Sequence, residues 1–586
     1  MIKPVPPFLI YLVGALLIPF LTGKTKKFFL LIIPVVAFID LIFMHHGTYW
    51  TLHFMGYELI FGQVDKLSMI FAYVFVIMSF AGLLYALHVD DDLQHVAAIC
   101  YAGSALGVIF AGDFFTLYVS WEFMAIASVF VIWADRSKRA IDAGFRYLMV
   151  HLFGGAVLLA GIVIYASETG SIAFGRFEGG GLGFWLILFG FILNAAVPPL
   201  HPWLSDAYPA ASVTGAVFLT AYTTKTAVYT LLRAFPGVEI LVYLGGIMTV
   251  YGVIWAIIEN DMRRLLSYHI ISQVGYMVGG VGIGTGLALN GSASHAFCHI
   301  LYKALLFMGT GAVIHATGLR NMSELMGRGL YKKMHLSLIF YMVGAFSISA
   351  VPLFNGFISK PMIVKAAAEA HYIPVFFLMH VASIGTWLCV GLKLPYYTWF
   401  GKTRPRLKGI DAKEPPLNML LGMGFLSFLC IVIGMYPDVL YRILPHPVNF
   451  HPYTPFHIIG TFQMLLMTVV GVWLLLGKLA PHAAINLDTD WFYRKGARVF
   501  VKFCYGLSAV RTVMQSRAVG LVDSIITLSK NPLYAVQALF SRKKVDLPHY
   551  DPNTYRQALG IWVLCSLILF CLICVFFFVR VAHLIK

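Results

Sequence analysis

Charged side chains inside strongly apolar segments are the residues of this sequence that could do chemistry. Lys225, Lys303 and Lys360 each interrupt an apolar run, and Glu122 is the single carboxylate between residues 114 and 133. A charge at the centre of a lipid bilayer costs at least about 2.5–3.5 kcal/mol, and such residues usually face a protein interior or a wet cavity. Because the protonation of a buried amine or carboxylate depends on neighbouring charges, we predict that these four residues carry protons.

One helix face carries two histidines as well as a lysine. His295, His299 and Lys303 follow one another at intervals of four residues, which places them along one side of a helix. Histidine titrates nearest physiological pH, so this face favours a proton relay. A metal pair, as in a membrane di-iron oxygenase, and ordinary core packing are the alternatives. A metal site requires further histidine or carboxylate ligands, whereas the next residue of this face is a cation.

The other charged residues of apolar segments have simpler alternatives. Glu122 could form a static ion pair, and Lys225 is the cation that we expect beside it. Lys365 and Lys393 lie near predicted helix ends, where a long side chain can extend to the membrane surface. Arg146 receives at most a supporting role.

Transmembrane helices are the elements that must position these residues. Of the 586 residues, 60% are hydrophobic and 12% are charged, which excludes a soluble enzyme and an enzyme with a single anchor. With roughly 20 residues per span, we predict an all-α integral membrane protein with about 16 transmembrane helices. The predicted spans are 6–22, 28–44, 67–87, 95–111, 114–133, 143–166, 182–200, 212–233, 238–258, 265–287, 292–316, 334–370, 374–400, 418–440, 455–477 and 559–581.

The basic residues predict the orientation of these spans. The net charge is +16, and 29 of the 42 Lys and Arg residues lie in loops after odd-numbered spans or in the segment 478–558. Cytoplasmic loops collect Lys and Arg, so both termini are predicted outside and 478–558 in the cytoplasm. The positive charge is thereby explained by topology and does not indicate nucleic acid.

Two further patterns concern the architecture. The sequence AVPPL at 196–200 is similar to AVPLF at 350–354, and proline breaks a helix. Paired broken helices are typical of transporters built from inverted repeats. Residues 491–530 alternate basic and apolar side chains up to Pro532, which favours a long amphipathic helix lying along the membrane, with a solvated linker as the alternative.

The cysteines do not indicate a redox site. Eight are scattered along the chain, and the one close pair, Cys571 and Cys574, lies in the last span without a second pair or a histidine partner. No haem, iron–sulfur, flavin or nucleotide motif is present. We predict no cofactor and no metal.

Together these motifs resemble the antiporter-like membrane subunits of respiratory complex I and the D-type subunits of Mrp cation/proton antiporters, over residues 65–400. The resemblance implies two inverted five-helix repeats with broken helices, half-channels joined by a polar axis, and proton pumping coupled to partner subunits. The motifs that carry it are Trp121-Glu122, PPLHPWLSDA at 198–207, Lys225-Thr226-Ala227, DMRRL at 261–265 with SQVGY at 272–276, residues 295–307, and GFISK at 356–360.

The resemblance also implies roles for single residues. Glu122 matches the fifth-helix glutamate of the family, Lys225 the eighth-helix lysine and Lys303 the eleventh-helix lysine. Lys360 matches the twelfth-helix lysine at the exit. The seventh-helix lysine of the family falls on Asn194, an amide that carries no proton charge. Asn194, His201 and Lys393 are predicted as supporting residues.

We therefore predict a proton- or cation/proton-translocating membrane subunit of a multi-subunit complex related to NADH-quinone oxidoreductase and Mrp antiporters. It has no catalytic chemistry of its own. One alternative is an Mrp-like secondary antiporter that exchanges Na⁺ or K⁺ for protons. Another is a non-conducting scaffold subunit of a membrane hydrogenase-like or carbon-uptake complex. The predicted partners are other membrane subunits, the transported ions and the lipid of the inner (cytoplasmic) membrane.

The predicted domains follow the spans. They are N-terminal transmembrane helices (1–94), a first antiporter-like repeat (95–233), a second repeat (238–400), additional transmembrane helices (401–477), the cytoplasmic amphipathic segment (478–558) and a C-terminal transmembrane helix (559–586).

Overall fold

The computed structural model describes residues 5–177, 179–400, 412–484, 486–530, 536, 540 and 559–584. They form two compact units, Met1–Asp490 and Trp491–Lys586. Predictions that concern the basic residues at 402–408, Pro532 or residues 541–558 lie outside the described residues.

The described part of the chain is almost entirely helical, with one antiparallel hairpin formed by β1 (Gly47–Phe54) and β2 (Tyr57–Val64), in which Phe54 pairs with Tyr57 and Gly47 with Val64. Short 3₁₀ turns lie at Ile18–Phe20 and Leu330–Lys332. The helices of the first unit are α1 (Pro7–Leu17), α2 (Gly23–Phe43), α3 (Lys66–Ala86), α4 (Asp92–Phe110), α5 (Phe114–Trp133), α6 (Lys138–Thr169), α7 (Leu182–Asn194), α8 (Pro202–Ala210), α9 (Gly215–Leu219), α10 (Thr223–Ala234), α11 (Ile240–Ile258), α12 (Met262–Ile283), α13 (Gly286–Thr317), α14 (Met322–Leu325), α15 (His335–Ile348), α16 (Asn355–Glu369), α17 (Ile373–Thr386, with wider π turns over Trp387–Lys393 and Tyr396–Phe400), α18 (Leu417–Met435), α19 (Asp438–Tyr441) and α20 (Pro455–Leu475). The C-terminal part consists of α21 (Asp490–Lys530) and α22 (Leu559–Leu584).

Each of the sixteen predicted spans contains a helix. Among the described residues, ten helices are long and apolar enough to cross a membrane, and α1, α7 and α15 are shorter apolar helices. The protein is thus a multi-pass membrane protein, while the count of sixteen spans stays a prediction. The predicted helix over 491–530 is present as α21, which at about 1.5 Å per residue is roughly 60 Å long.

Two sets of helices repeat at a fixed spacing. Both α4 and α11 have 19 residues and both α6 and α13 have 32, and the second member of each pair begins 148 positions after the first, at 240 after 92 and at 286 after 138. Isolated bridges join Asp113 to Ala173 and Asp261 to Asn321, again 148 positions apart. A repeat is therefore present, while its inverted orientation and the predicted domain bounds stay predictions.

Each repeat contains a broken helix, as the two proline motifs predict. In the first repeat α7 ends at Asn194 and α8 begins at Pro202, and in the second α15 ends at Ile348 and α16 begins at Asn355. The sequences HPWLSD at 201–206 and NGFISK at 355–360 then occupy the same positions after the two breaks, 154 residues apart.

A third break was not indicated by the sequence. The predicted span 212–233 consists of two helices, α9 and α10, with residues 220–222 between them. The amide of Thr223, at the start of α10, donates to the Tyr101 hydroxyl at 3.0 Å. Because a helix end leaves backbone groups without helical partners, polar side chains such as Tyr101 allow a break at this depth.

Candidate ion-translocation site

Lys225 lies at the break between α9 and α10. Its ammonium group donates to the carbonyl oxygen of Thr220 at 2.6 Å and to Oγ1 of Thr224 at 3.0 Å. Thr220 directly follows the last residue of α9. The carbonyl end of a helix carries a partial negative charge, which stabilises a cation placed there. Lys225 is fully buried, so this helix end supplies the polar contacts that water would otherwise give.

Lys360 and Lys393 bind helix ends in the same way. The Lys360 ammonium donates at 2.9 Å to the carbonyl of Ile348, the last residue of α15. The Lys393 ammonium donates to the carbonyls of Ile257 and Glu259, the latter at 3.2 Å, where α11 ends. Both lysines are buried, so Lys393 does not extend to the membrane surface. Three of the four lysines assigned a relay or supporting role therefore donate hydrogen bonds to carbonyls at a helix end.

Lys303 is the exception. Its side chain is fully buried on α13, and among the described residues its Nζ has no hydrogen-bond partner. The same holds for both ring nitrogens of His299, one turn earlier on α13, and of His269 on α12. A buried polar group without a partner is costly. The protonation of these three groups therefore depends on their burial first and on the charges around them second.

His295 connects three helices. Its Nδ1 lies 3.1 Å from Oγ of Ser359 on α16, and its Nε2 lies 3.3 Å from Oε1 of Gln273 on α12. Its ring centre lies 6.2 Å from that of His299, as expected for residues on one helix face. On its other side the ring centre of Tyr276 lies 6.0 Å away, and the Lys360 ammonium lies 5.1 Å from that ring.

These groups form one electrostatically connected set, which we call the central array and define as Lys225, His269, His295, His299, Lys303, Lys360 and Lys393. Lys303 interacts with Lys225, and His299 interacts with both of them. His269 interacts with Lys303, Lys360 and Lys393. A change of charge at one member therefore changes the electrostatic potential at its neighbours in the array.

Glu122 does not belong to this array, and the pairing expected between Glu122 and Lys225 is wrong. Glu122 forms no ion pair among the described residues, and its Oε1 is buried without a hydrogen-bond partner. It packs on Gly155 of α6, where an added Cβ would lie 1.8 Å from Oε1. Gly155 occupies the position in α6 that Lys303 occupies in α13, 148 residues later. The space that a lysine fills in the second repeat thus receives a carboxylate in the first.

Asn194 stands at the end of α7, where the resemblance places a lysine. Its side chain is 1% exposed, and its Nδ2 has no partner among the described residues. The carbonyl of the preceding residue, Leu193, accepts a hydrogen bond of 3.1 Å from Nε1 of Trp203. An indole therefore satisfies this helix end in place of an ammonium group.

The remaining predicted residues do not belong to the central array as defined. Arg146 makes two hydrogen bonds to Asp206, of 2.6 and 3.1 Å. Lys365 is half-exposed and pairs with Glu369 one turn later at 3.5 Å. His201 is fully buried, and its Nε2 lies 3.0 Å from Oδ2 of Asp488.

Sequence reasoning missed three residues of this interior. His269 lies between the two motifs quoted for α12 and was passed over. His151 occupies the position in α6 that His299 occupies in α13, and it stacks on Tyr147 at 3.9 Å. Asp488 lies far along the chain, and no local pattern connects it to His201. The 148-residue repeat was the signal that could have identified His151.

No group of three or more His, Cys, Asp or Glu residues suited to a metal ion occurs within the described ranges. The metal interpretation of His295 and His299 therefore gains no further ligands from this part of the chain.

Two repeats with broken helices around a buried lysine and histidine array define an antiporter-like membrane protein. Residues 111–386 match the family model described as NADH:quinone oxidoreductase/Mrp antiporter, TM. The chain is accordingly an antiporter-like membrane subunit related to those of Mrp antiporters and complex I, and the predicted resemblance is confirmed.

Individual relatives agree with this assignment. The chain is 27% identical over 464 residues to an uncharacterised protein of Methanocaldococcus jannaschii, covering 74% of this chain and 95% of that protein. It is 26% identical over 611 residues to the Na⁺/H⁺ antiporter subunit A1 of Staphylococcus aureus (strain N315), covering 90% of this chain and 75% of the relative.

Solved structures share the fold. A chain of the membrane-bound sulfane sulfur reductase, an archaeal respiratory membrane complex, has a TM-score of 0.68 at 22% identity and covers 98% of this chain and 100% of its own. A chain of the Mrp complex from Dietzia sp. DQ12-45-1b has a TM-score of 0.63 at 20% identity, covering 78% and 95%. A chain of respiratory complex I from Thermus thermophilus has a TM-score of 0.62 at 22% identity, covering 75% and 99%.

Proposed function

We propose that this chain conducts protons through the central array as the ion-translocating subunit of a multi-subunit membrane complex. The observation that carries the proposal is Lys303, a fully buried lysine without a hydrogen-bond partner among the described residues, with Lys225 and His299 within electrostatic range. Burial disfavours an ammonium ion in such a place, and a positive charge on a neighbour disfavours it further. A proton arriving on one side therefore favours release on the other.

The helix ends provide successive proton-binding positions for this exchange. A carbonyl end offers Lys225 and Lys360 each a partial negative charge, which offsets part of the cost of burying an ammonium ion. Lys303 and the histidines between them lack this stabilisation, so a proton passes through them without being retained. Glu122 lies apart on α5, where its carboxylate packs on Gly155 of α6.

The proposed setting is the inner membrane, with both termini outside and residues 478–558 in the cytoplasm. The solved chains that share this fold belong to multi-subunit complexes, which supports membrane partners for this chain. The partners would supply the driving reaction or the counter-ion.

A matched set of variants tests proton conduction. The complete complex is reconstituted in vesicles, and proton movement is followed with a trapped pH-sensitive dye. Lys303→Met and Lys360→Met should abolish proton flux, whereas Lys365→Met should leave it unchanged because Lys365 is half-exposed and outside the array. Normal flux in Lys303→Met and Lys360→Met would leave the scaffold alternative as the function.

Exchange of Na⁺ for protons is the second candidate, and the name of the Staphylococcus relatives favours it. It predicts that an imposed Na⁺ gradient drives proton movement in the same vesicles without any redox substrate. Proton movement that requires a redox substrate and ignores Na⁺ would favour a pump instead.

A further inference from the structure

Residues 478–484 and 486–489 follow α20 and belong to the first unit, and we call them the strap. Asn486 donates to the carbonyl of Ile258 at 3.2 Å, and the Thr489 hydroxyl donates to the carbonyl of Pro199 at 3.3 Å. The strap thereby touches both the end of α11 and the break between α7 and α8.

Asp488 lies deepest in the strap and is 5% exposed. Its carboxylate accepts hydrogen bonds from the Tyr251 hydroxyl at 2.5 Å and the Tyr268 hydroxyl at 2.6 Å. Tyr251 lies seven residues before the end of α11, about 10 Å along the helix at 1.5 Å per residue. Burial of a carboxylate at this depth is expensive unless its partners satisfy it fully, so this is not a surface contact.

The Asp488 carboxylate has two further partners. It accepts a hydrogen bond from the Thr489 amide at 2.6 Å, and it lies 3.0 Å from Nε2 of His201. Burial opposes the charge of Asp488, but hydrogen bonds from His201 and the two tyrosines outweigh it and hold the pKa of Asp488 well below its usual range. An ionised carboxylate only accepts hydrogen bonds. The proton of a neutral His201 therefore sits on Nε2.

This tautomer leaves Nδ1 of His201 as the basic atom. Nδ1 is buried and has no hydrogen-bond partner among the described residues. The Tyr268 hydroxyl binds Asp488, and the next residue on α12 is His269 of the central array. The same helix, α12, therefore carries both a partner of Asp488 and a member of the central array.

We propose that His201 and Asp488 form a proton-loading site at the first broken helix, in which the strap makes His201 a proton acceptor for the central array. The proposal rests on the proposed proton conduction. A proton adds to Nδ1, and the resulting imidazolium keeps its Nε2–H bond to the ionised Asp488. Loss of the Nδ1 proton to the next acceptor restores the neutral ring, so only N–H bonds form and break.

Other ionisable groups around the site are accounted for. The Arg264 guanidinium lies 6.0 Å from the Tyr268 ring centre and pairs with Glu259 at 3.2 Å. On α8 itself Asp206 pairs with Arg146 of α6. Asp488 is thus the carboxylate in direct contact with His201, and its removal isolates the effect of the pair.

The test measures proton flux as a function of pH in vesicles that contain the complete complex. Asp488→Asn keeps the shape but removes the charge that stabilises the imidazolium, so loading requires more acid. The pH of half-maximal flux should fall by about one unit or more. Asp488→Glu restores the charge and should bring the pH profile back towards the original.

A second variant predicts the opposite sign. Tyr268→Phe removes a neutral donor, so the carboxylate keeps its charge and holds the imidazolium more strongly. The half-maximal pH should therefore rise. Asn486→Ala and Thr489→Val are the controls, because they remove strap contacts without changing charge and should leave the pH profile in place.

Flux is normalised to the amount of assembled complex, so variants that assemble poorly remain informative. Equal loss at every pH in Asp488→Asn, or a shift of the same sign in Tyr268→Phe, overturns the proton-loading site and makes the strap a structural anchor. Neither result bears on the proposal that the chain conducts protons. That proposal is overturned by normal proton flux in Lys303→Met.

Discussion

A lysine bound to a helix carbonyl end and a lysine without a partner should respond differently to replacement. Lys225, Lys360 and Lys393 each donate to main-chain carbonyls at such ends, whereas Lys303 does not. Removing a hydrogen-bonding lysine leaves buried carbonyls unsatisfied, which costs about 1–3 kcal/mol. Removing an unpaired buried charge carries no such loss.

Thermal unfolding of two variants checks this difference. Lys393→Met should lower the free energy of unfolding by about 1–3 kcal/mol, because two carbonyls lose their donor. Lys303→Met should leave the stability unchanged or raise it, although it abolishes flux. A Lys303→Met protein that unfolds as early as Lys393→Met would show that Lys303 has a stabilising partner after all.

Gly155 sets the position of the Glu122 carboxylate. The Cβ added by Gly155→Ala would lie 1.8 Å from Oε1, so the carboxylate must move, at a cost of about 1–3 kcal/mol. We expect proton flux to fall to the level of Glu122→Gln, and the double variant to show no further loss.

Gly154→Ala is the matched control for this experiment. Its Cβ would meet only the flexible end of Leu193, at 3.1 Å. Flux should therefore stay near that of the unmodified complex. Independent, additive effects of Gly155→Ala and Glu122→Gln would mean that Gly155 does not act through the carboxylate.

At the scale of elements, the two repeats begin their second helices in the same way. Asp113 accepts from the amide of Thr116 at 2.8 Å to cap α5, and Asp261 accepts from the amide of Arg263 at 2.9 Å to cap α12. Asp113 also accepts from the amide of Ile60 in β2 at 2.7 Å. A single carboxylate therefore starts a helix and ties the hairpin to it.

Replacing these caps tests the equivalence of the repeats. Asp113→Ala and Asp261→Ala should each lower the free energy of unfolding by about 1–2 kcal/mol, the usual effect of losing an N-cap. Asp113→Asn keeps one acceptor oxygen for the Thr116 amide but not the second, which accepts from Ile60, so it should lose less stability than Asp113→Ala. The measurement is denaturation of the purified protein in detergent, and an unchanged stability of Asp113→Ala would contradict the capping role.

The sequence predicted elements better than contacts between them. Prolines and apolar runs identified the broken helices at 195–201 and 349–354, because these signals are local. The break at 220–222 has no proline. Lys225 of α10 and Tyr101 of α4 make hydrogen bonds to backbone groups on its two sides. The pairing of Glu122 with Lys225 was inferred from their order along the chain. That order does not show which face of α5 the carboxylate occupies, so the inference was wrong. Asp488 reaches His201 across 287 positions, which no motif reveals.

At the scale of the whole molecule, the predicted spans place the two repeats in opposite orientations in the membrane. The helix α4 belongs to the fourth predicted span and α11 to the ninth, an offset of five, so their equivalent ends are predicted to face opposite sides. A path through the array can then open to one side in the first repeat and to the other side in the second. This arrangement depends on the predicted orientation of the spans.

Labelling of introduced cysteines with a membrane-impermeant thiol reagent determines that orientation. Met55, at the tip of the hairpin, is 82% exposed and follows the second predicted span, so Met55→Cys should react only from outside. Ser516 is exposed on α21, and Ser516→Cys should react only in inside-out vesicles because its basic surroundings indicate the cytoplasm. Both variants require a Cys504→Ser background, since Cys504 is itself exposed. Reaction of both positions from the same side would mean that an odd number of crossings has been misassigned between residues 55 and 516, and the two repeats would need to be reoriented relative to the membrane.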